Sequence, residues 1–200
     1  MNQIDGPLKD LSEIRTMMER SSKFLSLSGL AGVSAGAAAL AGAAAAYWKL
    51  GLPEGRGGSA ETALFLACDA GIVLIAAIGL AIFFTTRMAK KIGHPVWSGM
   101  TKYLLAALLI PLAAGGVVCL AAWSRGWVMG IGPFTLVFYG LALLNCSKYT
   151  VREIQYLGIA EIVLGLTGLF FADAWLLLWA AGFGALHIVY GILMYVKYEK

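Results

Sequence analysis

The chain has 200 residues, 60% of them hydrophobic and only 13% charged, with a mean hydropathy of +0.80. A soluble domain of this length needs far more surface charge, so that class is excluded. The net charge of +4 is accounted for by membrane topology, and no nucleic-acid signature accompanies it.

Residues 1–23 come first. Ile4, Leu8, Leu11, Ile14 and Met18 share one helical face, and Lys9, Glu13, Thr16, Glu19, Arg20 and Lys23 occupy the other. Pro7 suits a first turn. The pattern predicts an amphipathic helix lying on the cytoplasmic membrane surface, with docking to a protein partner as the alternative. Residues 24–200 then hold six apolar runs long enough to cross a bilayer, at about 24–48, 61–86, 102–123, 127–146, 154–171 and 174–196. The expected fold class is an all-α membrane protein: a bundle of six transmembrane helices preceded by the interfacial helix.

The first span is poor in large side chains, and Gly32 and Gly36 form a GxxxG that allows close helix packing against a neighbour or another copy. Its length and the acids upstream argue against a cleaved signal peptide. The second span carries Asp69 about two turns in, and the third carries Pro111, expected to kink it, ahead of Gly115 and Gly116. Pro133 opens the fourth span.

Lys9, Arg15, Arg20, Lys23, Arg87, Lys90, Lys91, Lys102, Lys148, Arg152, Lys197 and Lys200 fall on one side of this topology, and only Lys49, Arg56 and Arg125 on the other. The imbalance predicts that both termini are cytoplasmic. The loop between the fourth and fifth spans holds Asn145, Ser147, Lys148, Tyr149, Thr150, Arg152 and Glu153. Asn145 and Ser147 can cap the fourth span, and Thr150 with Glu153 reads as a capping box for the fifth. The remaining polarity, with Asn145, Lys148, Tyr149 and Arg152, reads as a cytoplasmic contact surface.

The fifth and sixth spans repeat one spacing. Gly158, Glu161 and Gly165 in one, and Gly184, His187 and Gly191 in the other, place an ionisable residue between two glycines on a narrow helical stripe. The short turn near Asp173 makes the two spans antiparallel and brings Glu161 and His187 within about one helical turn in depth. The glycines would let these two helices press together around the pair. Burial and pairing act on such groups in opposite senses, and a close pair titrates as a unit. Two readings stay open: a polar clasp locking the hairpin, or a proton- or cation-handling pair, with Asp69 as a second step on a path across the bilayer.

Cys68, Cys119 and Cys146 are widely spaced inside apolar runs and read as packing residues, not a disulfide frame. No metal spacing, phosphate loop, nucleophile elbow or catalytic triad is present, so no cofactor or enzymatic activity is expected.

The stretches from Glu13 to Leu30, from Tyr139 to Tyr149, and His187-Ile188-Val189-Tyr190-Gly191 together resemble a group of uncharacterised multi-span bacterial inner-membrane proteins. That resemblance implies membrane class and bacterial inner-membrane location, and it brings no activity with it. The expected function is therefore a structural, regulatory or assembly component that packs through its Gly/Ala-rich faces, with the lipid bilayer and another copy or a membrane partner as its surroundings. The alternative is a small proton- or cation-linked transporter or channel using Asp69, Glu161 and His187.

Overall fold

The computed structural model describes residues 28–51, 60–93 and 97–200, and every element among them is helical. The amphipathic helix expected over 1–23 lies outside the described residues. The helices are α1 (Gly29–Gly51), α2 (Ala60–Ile92), α3 (Gly99–Ser124), α4 (Val128–Cys146) and α5 (Glu153–Phe170). The last helix, α6, is composite. A 3₁₀ turn at Ala172–Ala174 leads into α-helix at Trp175–Trp179, then a π segment at Ala180–Leu186, then α-helix again over His187–Tyr198. Six helical stretches are long and apolar enough to cross a membrane.

The boundaries depart from the hydropathy pattern where local chemistry overrides it. α2 continues past Arg87, Lys90 and Lys91 to Ile92, because nothing breaks a helix until Gly93, which turns at φ +71. Its 33 residues make it about 50 Å long. α3 starts at Gly99 because Ser98 and Thr101 form a reciprocal capping box, with Thr101 N–H donating to Ser98 Oγ at 3.2 Å.

The bundle is an extended row rather than a closed ring. α2 leans on α1, α1 on α6, α6 on α4 and α5, and α4 also on α3. Two of these contacts are backbone-close. In α1 and α6, a Cβ added to Gly29 would lie 2.3 Å from the Gly191 carbonyl, and one on Gly36 would lie 2.6 Å from the Gly184 carbonyl. In α4 and α5, Gly140 and Gly158 stand against each other, a built Cβ lying 2.6 Å and 2.8 Å from the opposite carbonyl. Glycine at these positions is required by the approach of two main chains, whose dispersion contacts replace those of larger side chains.

The end of the bundle where α1 begins and α6 finishes is fastened by charge. The Glu199 carboxylate accepts from the Gly29 backbone N–H and, at 3.3 Å, from Ser28 Oγ, which caps the positive N-terminus of α1. Glu153 at the start of α5 accepts from Lys197 and from Tyr198 O–H at 3.1 Å. The carboxylate expected to close a capping box with Thr150 is thus turned across to α6. The core beside these contacts joins Leu104, Ala107, Leu143, Ile154, Leu157 and Met194 from four helices.

Pro111 has no N–H, so the Ala107 carbonyl one turn earlier loses its helical partner. The Asn145 side chain, at the end of α4, donates to that carbonyl at 2.9 Å. A carbonyl stranded in apolar surroundings costs about 1–3 kcal/mol. Asn145→Ala is therefore expected to lower stability by that amount in thermal unfolding, and Asn145→Ala in a Pro111→Ala background to cost much less. Equal losses in both backgrounds would show that the bond contributes nothing.

Candidate polar clasp between helix pairs

Glu161 and His187 meet. Glu161 is 0% exposed and His187 6% exposed, and His187 Nδ1 lies 3.4 Å from Glu161 Oε1. The glycine stripes around them do not bring this about. Gly158 and Gly165 face α4, where built Cβ atoms would strike the Gly140 and Pro133 carbonyls, while Gly184 and Gly191 face Leu40, Val33 and Gly29 of α1. Gly32 and Gly36 complete that second contact, so the GxxxG of α1 is occupied by α6. Each stripe zips its own pair, α4–α5 or α1–α6, and the polar residues lie where the two pairs come together.

A third member comes from α4. Tyr139 Oη is 2.8 Å from His187 Nε2, and His187 Nδ1 is 3.0 Å from the Gly182 carbonyl five residues earlier in the π segment. A carbonyl only accepts, so Nδ1 carries a hydrogen; in the neutral ring Nε2 then accepts from Tyr139 O–H. Both ring nitrogens are satisfied. The Nδ1 hydrogen points at Gly182, and neither Glu161 oxygen has a hydrogen-bond partner among the described residues. The contact with Glu161 is thus one of charge and proximity, not an aligned hydrogen bond.

The carboxyl fits because Gly182 has no side chain. A Cβ there would stand 2.4 Å from Glu161 Oε2 and 2.6 Å from Leu136 Cδ2. Aromatic rings hold the imidazole in place. Phe183 stacks on His187 at 5.9 Å and contacts Tyr139 and Trp179, each at 5.0 Å. Trp179 N–H donates to Thr135 Oγ1 at 3.2 Å, and Thr135 donates to the Gly132 carbonyl at 2.7 Å, which extends hydrogen bonding along α4. Tyr139, Gly182 and Phe183 are absent from the sequence-derived site. The available signal was the Tyr139–Gly140 dipeptide at the depth of Glu161, on a helix joined to α5 by a short loop.

The other candidates lie apart. Asp69 is half-buried in α2, with its carboxylate oxygens 3.3 Å and 3.5 Å from a Cβ built on Gly42 of α1. It has no hydrogen-bond or ion-pair partner among the described residues. Asp69 belongs to the contact between α1 and α2, whereas Glu161 and His187 belong to that among α4, α5 and α6. In the α4–α5 loop, Asn145 is turned inward to α3, and Lys148 Nζ donates to its Oδ1 at 3.4 Å. Tyr149 stacks on Tyr103 at 6.2 Å, and Lys148 and Arg152 are exposed. No group of three His, Cys, Asp or Glu side chains able to hold a metal occurs among the described residues. Comparison with protein-family models, with characterised proteins and with solved structures finds no match to this chain.

Proposed function

We propose that this chain is an integral protein of the bacterial inner membrane, with both termini cytoplasmic, and that it acts as a structural or regulatory assembly component rather than an enzyme. Large apolar side chains cover its perimeter. Ile75 is 74% exposed, Ile110 69% and Phe170 85%, a surface suited to lipid and not to water. The split of basic residues supports the orientation. The Tyr139–His187–Glu161 network serves as a clasp between the two glycine-zipped helix pairs.

One observation carries this reading: Glu161 is fully enclosed, with the imidazole of His187, Leu136 and the Gly182 main chain against its carboxyl. The glycine faces of α1, α4, α5 and α6 are used within the chain, and α2, whose most apolar stretch is 0% buried, offers the least covered face to lipid, another copy or a membrane partner.

The transport alternative keeps one observation in its favour, the unpartnered Glu161 oxygens, since an intramembrane carboxyl without a fixed donor can exchange a proton. Reconstitution separates the two. Proteoliposomes with an imposed membrane potential and an internal pH dye are expected to show no proton flux beyond protein-free vesicles. Flux present in the native protein and lost in Glu161→Gln would replace the clasp with a proton path.

A further inference from the structure

A groove of about 330 Å³ opens between α1 and α2, lined by Ala38, Ala41, Gly42, Ile72, Val73 and Ala76, with Asp69 as its single charge. Val73 fills the space that a side chain at Gly42 would take, and the Asp69 carboxylate lies beside it, 3.3 Å from the same point. Asp69 is out of place energetically. Counting along α1 from Trp48 to Gly42, it sits about 9 Å inside the level of the exposed Tyr47–Trp48 pair. An unpaired carboxylate at such depth is costly, and such residues mark functional sites by default. Among the described residues no cation meets it: Lys49, seven residues along α1 from Gly42, is engaged by Glu61 at 3.1 Å.

We propose that the α1–α2 groove binds a lipophilic monovalent organic cation, with Asp69 as its counter-charge and the surrounding Ala, Gly, Ile and Val side chains as the wall for its apolar body. The groove has the size of a small-molecule site. A metal ion is a poorer occupant, because the walls add no oxygen, nitrogen or sulfur side-chain ligand to one carboxylate. A ligand with one positive charge balances Asp69, and an apolar body enters directly from lipid past the exposed Ile72. The inference rests on the membrane placement proposed above but is independent of the clasp, since no clasp residue lines the groove.

The test is isothermal titration of the purified full chain in lipid nanodiscs with tetraphenylphosphonium. One cation per chain is expected. Asp69→Asn should weaken binding at least tenfold through charge, and Ala41→Leu should weaken it through volume, since Ala41 is exposed in the groove and its enlargement does not disturb the helix pair. Glu161→Gln should bind as the native protein does. Binding unchanged in both groove variants overturns the proposal, as does an absence of binding to folded native protein. Displacement of the probe by millimolar magnesium or sodium chloride would assign the groove to small inorganic ions and would likewise overturn it.

Discussion

Gly191→Leu is expected to be among the most damaging single substitutions in this chain. A Cβ at this position meets the Val33 N at 2.5 Å and the Gly29 carbonyl at 2.6 Å, so the obstacle is main chain and cannot rotate away. The α1–α6 pair must separate, and the close contacts at Gly32, Gly36 and Gly184 are lost with it. Overpacking of this kind costs about 3 kcal/mol, the upper part of the usual range. Gly71→Leu is the matched control. Nothing lies within 4 Å of a Cβ there, and an effect within about 0.5 kcal/mol is expected. Thermal unfolding in detergent reads both; leucine is a better helix former than glycine, so similar losses at the two positions would mean that the close contact with α1 does not set the cost.

The second large effect concerns His187. His187→Ala removes the acceptor of Tyr139 O–H and the donor to the Gly182 carbonyl, and it leaves the carboxyl of Glu161 without its nearest polar neighbour. Stranding one half of a buried pair costs about 3–5 kcal/mol, whereas replacing both halves by apolar side chains approaches neutrality. The double variant Glu161→Leu/His187→Ala is therefore expected to be more stable than His187→Ala alone. Strictly additive effects in this double-mutant cycle would show that the 3.4 Å approach carries no coupling.

How far these features are legible in the sequence depends on whether they are local. Six long apolar runs become six long helices because hydropathy over about 20 residues needs no tertiary information. Glu161 and His187 stand out because each is an ionisable residue in an apolar run. The direction a glycine stripe faces is another matter. Gly158–Gly165 and Gly184–Gly191 share a spacing but serve different partners, α4 and α1, and helical periodicity gives a stripe without its target. The π segment has no signature in periodicity either, although Gly182 and Gly184 within it remove the side chains that would crowd a widened turn. Tyr139 is hidden by its own chemistry, because a single tyrosine in an apolar run gives no sign of which group its hydroxyl meets. Asn145 reads as a cap or loop contact, and its partner, the Ala107 carbonyl, is found only by asking which group Pro111 leaves unbonded.

The pairing of α1 with α6 also sets the order of events during synthesis. The ribosome delivers α1 well over a hundred residues before α6, the helix that covers its Gly29, Gly32 and Gly36 face among the described residues. Glu161 likewise leaves the ribosome before His187 exists. Folding therefore stays incomplete through five helices, and α6 closes the first helix, the clasp and the Glu199 cap in one step. A chain interrupted within α6 therefore lacks all three at once, so the bundle has no partly fastened state between five helices and six.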